Sequence, residues 1–149
     1  MPPQIKRILL IDDSRADNFV HQRRIKQTEV AAEVIVKENG QEALSYLTNL
    51  SEEGCYPVPE LVFLDINMPV MTGWEFLDRY DQIDDDCKNG IVLLILTTSV
   101  AERDRQKADD YEVVSGFLEK PLTPAKLEEV VDAHFPGHTD QPATAPGGK

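Results

Sequence analysis

Five short apolar segments alternate with polar stretches of helical length, and this alternation constrains the fold of the 149-residue chain more than any other feature. The apolar segments are rich in β-branched or aromatic residues and nearly continuous in hydrophobicity, which is typical of strands buried on both faces of a parallel sheet. The alternation predicts a doubly wound α/β domain with right-handed crossovers. The predicted strands cover residues 5–11, 33–36, 61–64, 91–96 and 113–118, and the predicted helices cover residues 15–28, 41–50, 73–80, 101–111 and 124–134.

A residue suited to a helix start precedes each predicted helix. Hydroxyl and amide side chains at this position can accept hydrogen bonds from the free backbone N–H groups of the first helical turn. The predicted capping residues are Ser14, Asn39, Thr72, Ser99 and Thr123.

The net charge of the chain limits which classes of molecule it is expected to bind. Asp and Glu number 27 against 15 Lys and Arg, which gives a formal net charge of −12. A chain this acidic is a poor non-specific ligand for nucleic acid or for anionic lipid, so we expect a protein or a cation as partner. No apolar run approaches the roughly 18 residues that a transmembrane helix requires, and residues 1–4 lack the profile of a signal peptide. These features predict a cytoplasmic location.

The chain is predicted to form one domain over residues 1–135. Residues 136–149 are predicted to be a disordered tail, because they are rich in turn formers and contain no bulky apolar side chain to bury. Cys55 and Cys87 form no Cys-x-x-Cys pair and are predicted to be ordinary thiols.

Two predicted loops, residues 51–60 and 81–90, are longer than this fold class needs. The second contains three consecutive Asp residues, 84–86. We interpret this run as a solvated acidic loop rather than a cation site, because consecutive side chains rarely converge on one ion.

Polar side chains follow four of the predicted strands. Asp12 and Asp13 come after the first strand and Asp65 after the third. Thr97 follows the fourth strand and Lys120 the fifth. Ligands of open α/β sheets bind beyond the carboxyl ends of the strands. A single Asp at such a place usually just faces water, but a set drawn from four strands predicts a shared site.

The composition of this set predicts its chemistry. Carboxylates brought close together repel, so a cation is expected among them. An all-oxygen set with room for water fits Mg²⁺ or Mn²⁺ better than zinc or copper. A divalent ion, an amine and a hydroxyl together can neutralise the oxygens of a transferring phosphoryl group, and Asp65 would then be the nucleophile.

Four segments in this order resemble the motifs of response-regulator receiver domains of two-component signalling. They are LLIDDS (9–14), FLDINMPVMTG (63–73), LTTS (96–99) and FLEKPL (117–122), and the resemblance extends over about residues 5–135. It implies a flavodoxin-like sheet of five parallel strands in the order 2-1-3-4-5.

The resemblance also implies roles for the acidic residues. Asp65 accepts the phosphoryl group. Asp13, Asp65 and the backbone carbonyl of Asn67 bind Mg²⁺, and Asp12 contributes mostly through water.

Further roles implied by the resemblance concern the last two strands. Thr97 and Lys120 hold phosphoryl oxygens, and the Lys120–Pro121 peptide bond is cis. Thr97 and Phe117 form the switch pair, with Phe in place of the frequent Tyr, so any step that needs a phenol hydroxyl is absent.

The favoured function is therefore a stand-alone phosphoacceptor without an output domain. It would take its phosphoryl group from a sensor histidine kinase or a phosphotransfer protein, signal by binding a downstream protein, and turn over no external substrate. A homodimer is one arrangement that the sequence leaves open. Two alternatives are an aspartyl-nucleophile phosphatase, disfavoured because Asn67 stands where such enzymes need an acid, and a receiver-like scaffold that binds without phosphorylation.

The three histidines and the single tryptophan receive simpler interpretations. His21, His134 and His138 are predicted to be exposed to solvent. Trp74, at a helix start, is predicted to pack rather than to bind a ligand.

Overall fold

The computed structural model describes residues 5–47, 50–51, 54–55, 60–68, 71–82, 91–98 and 101–135. In chain order its elements are β1 (Ile5–Ile11), α1 (Arg15–Thr28), β2 (Ala31–Lys37), α2 (Gly40–Leu47), β3 (Leu50–Ser51), β4 (Gly54–Cys55), β5 (Leu61–Leu64), α3 (Gly73–Tyr80), β6 (Val92–Thr97), α4 (Glu102–Asp109), β7 (Val114–Glu119) and α5 (Pro124–His134).

Five parallel strands form one sheet in the order β2-β1-β5-β6-β7. Numbered only among themselves, these strands have the order 2-1-3-4-5, so the predicted doubly wound, flavodoxin-like fold is confirmed. The neighbours of β1 are β2 on one side and β5 on the other, which makes the β1/β5 edge the point where the strand order reverses.

Side chains on the two faces of the sheet build two separate cores. Because successive residues of a strand point to opposite faces, Leu9 and Leu10 of β1 belong to different cores. The core that contains Leu9 includes buried residues of α2, α3 and α4, such as Phe76. The other includes buried residues of α1 and α5, such as Ile25 and Leu127. Helices therefore cover both faces, as continuous apolar strands require.

Side chains cap three helices as predicted. Ser14 and Thr123 each accept a hydrogen bond from the backbone N–H three residues later, and Thr72 forms a reciprocal capping box with Glu75. Asn39 accepts from the Glu42 N–H at the start of α2.

Two boundaries differ from the sequence prediction. The second helix ends at Leu47 rather than at residue 50, because Leu50 pairs with Cys55 in the short antiparallel β3–β4 hairpin, which replaces part of a predicted loop. The fourth helix is preceded by Ala101, not Ser99, so the prediction of Ser99 as its cap is wrong.

The predictions that His21 and His134 are exposed to solvent are also wrong. His21 is 2% exposed, not solvated, because it lies on the buried stripe of α1 together with Asn18 and Ile25. His134 is half-buried. Trp74 packs at the edge of the core and stacks on Tyr111 with ring centroids 5.9 Å apart, which confirms its packing role.

Several predictions fall on other parts of the chain. The tail at residues 136–149, the acidic run 84–86, Cys87 and His138 lie outside the described residues. Among the residues that the structure does describe, no helix is long and apolar enough to cross a membrane.

Candidate functional site

The carboxyl ends of β1, β5, β6 and β7 bring the predicted site residues together. Backbone hydrogen bonds continue the sheet by one residue and fix where these side chains start. The bonded pairs are Asp12 N–H to the Lys37 carbonyl (3.1 Å), Asp65 N–H to the Ile11 carbonyl (3.0 Å) and Lys120 N–H to the Thr97 carbonyl (2.8 Å).

Three carboxylates from β1 and β5 form the acidic part of the site. Asp12, Asp13 and Asp65 each present an oxygen, and the three oxygens lie within 4.8 Å of one another. Asp12 and Asp65 are buried, whereas Asp13 is exposed and opens the cluster to solvent. This is a set of hard oxygen donors with one solvent-facing side, and it suits a small divalent cation that keeps part of its water.

The Lys120 ammonium lies among carboxylates and uses its three donor positions on three of them. Its Nζ is 2.6 Å from Asp12 Oδ2, 3.0 Å from Asp65 Oδ2 and 2.8 Å from Asp17 Oδ2. Only 8% of the Lys120 side chain is exposed, so its ion pairs with the buried Asp12 and Asp65 are largely shielded from solvent, whereas Asp17 is 42% exposed.

Burial and neighbouring charges have opposite effects on the pKa values of Lys120 and Asp12. Burial disfavours the charged form of Lys120, but hydrogen bonds to Asp12, Asp17 and Asp65 outweigh burial and raise the pKa of the lysine. Burial raises the pKa of Asp12 above its ordinary value, and the nearby charge of Asp65 raises it further. The hydrogen bond from Lys120 opposes this shift but does not cancel it. The hydrogen bond from Lys120 lowers the pKa of Asp17. Lys120 is therefore a permanent cation, and a further positive charge near Asp12 would favour the ionised form of that carboxylate.

Asn67 links the acidic part of the site to Thr97. The Asn67 backbone N–H donates to Asp65 Oδ1 over 2.9 Å and orients that carboxylate. The Asn67 side-chain amide donates to the Thr97 hydroxyl over 3.2 Å. Thr97 is fully buried at the end of β6. Asn67 therefore connects the carboxylate of Asp65, through its backbone, with the hydroxyl of Thr97, through its side chain.

Phe117 and Pro121 lie on either side of Lys120 in the chain, Phe117 on β7 and Pro121 just after it. The Phe117 ring is half-buried, packs against the core on the α2–α3–α4 side, and lies 5.1 Å from the guanidinium carbon of Arg105. The Lys120–Pro121 peptide bond is cis.

Residues of α1 that the sequence analysis did not select also reach the site. Asp17 binds the Lys120 ammonium, the Asn18 amide donates to the Asp12 carbonyl over 2.8 Å, and His21 accepts from the Leu122 N–H over 3.3 Å. The available signal was helical spacing, since residues 18, 21 and 25 form one stripe of α1. Two of those three residues are polar, so the stripe resembled a solvated face.

Comparison with known proteins identifies the family. Residues 8–132 match the family described as the response regulator receiver domain. The response regulator Rcp1 of Synechocystis sp. is 36% identical over 103 residues, which cover 69% of this chain and 67% of Rcp1. The chain belongs to the receiver domain family of two-component response regulators.

Solved structures agree with this assignment. A two-component response regulator from Cytophaga hutchinsonii superposes with a TM-score of 0.80 at 30% identity, covering 89% of this chain and 98% of that one. The Mn²⁺-bound form of Rcp1 has a TM-score of 0.70 at 29% identity, covering 93% and 99%. The phosphorylated cyanobacterial phytochrome response regulator RcpA has a TM-score of 0.69 at 28% identity, covering 93% and 96%. Receiver domains bind divalent metal and work with histidine kinases or phosphotransfer proteins.

Proposed function

We propose that this receiver domain accepts a phosphoryl group on the carboxylate of Asp65, from a phosphohistidine of a sensor histidine kinase or a phosphotransfer protein. The observation that carries the proposal is the position of Asp65 at the carboxyl end of β5, with Asp12 and Asp13 within 4.8 Å and the Lys120 ammonium at 3.0 Å. The phosphorylated state of the relative RcpA supports it.

A divalent cation, Mg²⁺ or Mn²⁺, fits the donor set of this site. We assign Asp13, Asp65 and the Asn67 carbonyl as its ligands, with Asp12 acting mostly through water. The Mn²⁺-bound state of the relative Rcp1 supports the binding of a divalent cation. When bound, the ion supplies positive charge that neutralises phosphoryl oxygens.

The transfer exchanges one bond to phosphorus for another. An oxygen of Asp65 forms a bond to phosphorus while the bond from phosphorus to the donor imidazole nitrogen breaks, and the bonding electron pair leaves with the imidazole. Lys120 and Thr97 contribute an ammonium and a hydroxyl that stabilise the negative charge of the transferring oxygens. The Asn67 N–H orients Asp65 for the attack.

The signal leaves the domain through Thr97 and Phe117. The phosphoryl group adds charge and acceptor oxygens next to Thr97, and its hydroxyl moves towards them. Phe117 then turns inward and changes the surface formed by α4, β7 and α5, which recruits a downstream protein or a second copy of the chain. This role is that of a cytoplasmic phosphoacceptor and not of a turnover enzyme.

The alternative function, an aspartyl-nucleophile phosphatase, would need a general acid near Asp65. The residue two positions after Asp65 is Asn67, whose side-chain amide donates to Thr97 and carries no acidic proton. A protein that turned over external phosphate esters would need another general acid at this edge of the sheet.

Phosphorylation by a small donor tests the proposal directly. Acetyl phosphate with Mg²⁺ should label the wild-type protein, and hydroxylamine should remove the label, as it removes acyl phosphates. Asp65→Asn should abolish labelling, whereas Asp132→Asn, the same change at an exposed position of α5, should not. Acid-stable label on Ser or Thr would contradict the assignment, and absence of labelling in the wild type would favour a scaffold. A phosphotransfer profile against purified histidine kinases would then identify the donor.

A further inference from the structure

Three side chains of α1 bind one short segment of the chain, residues 120–122, which directly follows β7. Asp17 accepts from the Lys120 ammonium (2.8 Å), and His21 Nε2 accepts from the Leu122 N–H (3.3 Å). The Arg24 guanidinium donates to the Leu122 carbonyl (2.9 Å). Residues 17, 21 and 24 have the spacing i, i+4, i+7, so they lie on one face of the helix.

The two bonds to Leu122 pair both of its backbone polar groups with α1. Leu122 is fully buried in the core between the sheet, α1 and α5, and His21 is also buried. A buried N–H or C=O without a partner is costly. The position of Leu122 is therefore fixed from both sides, by its apolar side chain and by α1. Lys126 also binds this segment, but its bonds to the Glu119 and Pro121 carbonyls are exposed.

The hydrogen bond to His21 requires a neutral imidazole, because Nε2 must carry a lone pair to accept the Leu122 N–H. Burial lowers the pKa of His21 to about 4, so the acceptor form is present at neutral pH.

We propose that Asp17, His21 and Arg24 are positioning residues that hold Lys120 in place for phosphoryl transfer. Lys120 has a long flexible stem, and its ammonium can serve Asp65 only if the backbone from which the stem starts is fixed. His21 and Arg24 fix that backbone two residues later, and Asp17 holds the third N–H of the ammonium. This inference rests on the proposed function of Asp65.

Paired variants of α1 separate positioning from general stability. The side-chain amide of Gln places an oxygen near the position of His Nε2, whereas Leu has no acceptor. His21→Leu should slow phosphorylation by acetyl phosphate about tenfold, because a displaced catalytic group loses rate steeply, and His21→Gln should restore most of that rate. Arg24→Ala should also slow the reaction, whereas Arg23→Ala, the same change at the exposed neighbouring position, should not.

The Mn²⁺ dissociation constant is the readout that distinguishes positioning from damage to the site. Asp12, Asp13 and Asp65 are unchanged in these variants, so metal affinity should stay within about twofold while the rate falls, as expected when only one group is misplaced. Equal losses of metal affinity and rate would overturn the proposal. If His21→Leu does not fold, His21→Asn replaces it, because Asn is too short to place its oxygen at the position of Nε2.

An NMR measurement tests the contact without phosphorylation. The ¹⁵N-ammonium signal of Lys120 and the amide signal of Leu122 should shift in His21→Leu and Arg24→Ala and return in His21→Gln. Unchanged signals and rates in His21→Leu and Arg24→Ala would overturn the positioning role. If the wild type accepts no phosphoryl group, the proposed function fails, and the Lys120 signal still decides whether α1 positions the ammonium.

Discussion

The imidazole of His21 is a buried titratable group beside a permanent cation. Burial lowers its pKa from 6.5 to about 4, and the nearby charges of Lys120 and Arg24 act in the same direction, while Asp17 and Asp65 oppose them. In the unfolded chain the same imidazole takes up its proton near pH 6.5. The unfolded state therefore binds more protons than the folded state between these two values, so the free energy of unfolding falls as the pH falls through that range.

Urea unfolding of wild type and His21→Gln at a series of pH values measures this effect. Gln does not titrate, and the other titratable groups largely cancel between the two proteins. The stability of the wild type relative to His21→Gln should fall by about 3 kcal/mol between about pH 7 and pH 4. A difference that does not change with pH would show that His21 titrates normally in the folded protein.

The sequence predicted the residues at strand ends but not those on α1. Asp12 and Asp65 each follow an apolar run directly, and Lys120 follows one after Glu119, so their common location could be inferred from the parallel sheet alone. His21 contacts a residue 101 positions away in the chain. Its burial depends on where the segment after β7 docks, and no local pattern of hydrophobicity contains that information.

At the level of elements, the start of α3 lies against the end of β5 with no space for a side chain. A Cβ added to Gly73 would lie 2.5 Å from Ile66 Cα and 2.9 Å from the Asp65 carbonyl oxygen, both backbone atoms. Gly40, the first residue of α2, provides the matched control, because its added Cβ would meet the flexible side chain of Met71.

Gly73→Ala should therefore destabilise the protein by about 2 kcal/mol and should slow phosphorylation, since the Asp65–Ile66 backbone must shift. Gly40→Ala should change the free energy of unfolding by less than about 1 kcal/mol, because Met71 can move and Ala favours helix. Urea unfolding and acetyl phosphate kinetics on both variants check this. Equal effects of the two substitutions would show that the close approach at Gly73 is not a constraint.

At the N-terminus of α4, a substitution can add a capping hydrogen bond that the Ala101 side chain does not provide. Ala101 precedes this helix with extended backbone angles (φ −61°, ψ 141°), and its methyl group cannot accept a hydrogen bond. Ala101→Ser should raise the free energy of unfolding by about 0.5–1 kcal/mol by supplying the cap. Thermal melting against wild type measures the gain, and a loss of stability would show that a side chain at this position has no access to the first-turn N–H groups.

Helix starts were easier to predict than the second helix's end. Ser14, Thr72 and Thr123 cap locally, so three residues of sequence suffice to recognise them. The end of α2 is set by the pairing of Leu50 with Cys55 in the hairpin. Pairing between strands is a tertiary choice that overrides the helical pattern continuing towards residue 50.

Across the whole molecule, the sheet order decides which strand ends become neighbours. The continuous apolar strands predicted a parallel sheet, but they carry no record of which strand lies beside which, because every face is equally apolar. The order came from the resemblance to receiver domains. It places β1 next to β5 and so concentrates Asp12, Asp13 and Asp65 at one edge of a chain that already carries a net charge of −12.

This concentration of negative charge predicts that a divalent cation stabilises the fold. Lys120 contacts two of these three carboxylates and also Asp17, so three carboxylates share one ammonium, and Asp13 adds a fourth negative charge to the site. A cation that binds only the folded state stabilises it by mass action, by about 1.4 kcal/mol at ten times the dissociation constant.

Thermal melts with MgCl₂, compared with NaCl at the same ionic strength, separate this site-specific effect from general screening of charge. Asp13→Asn should remove the difference between the two salts, because Asp13 is the exposed carboxylate of the cluster. Asp17→Asn should keep most of it, since Asp17 binds Lys120 and lies outside the set of three oxygens. A Mg²⁺ effect that survives Asp13→Asn unchanged would place the ion elsewhere on the acidic surface, whereas loss in Asp13→Asn alone would locate it at the carboxyl ends of β1 and β5.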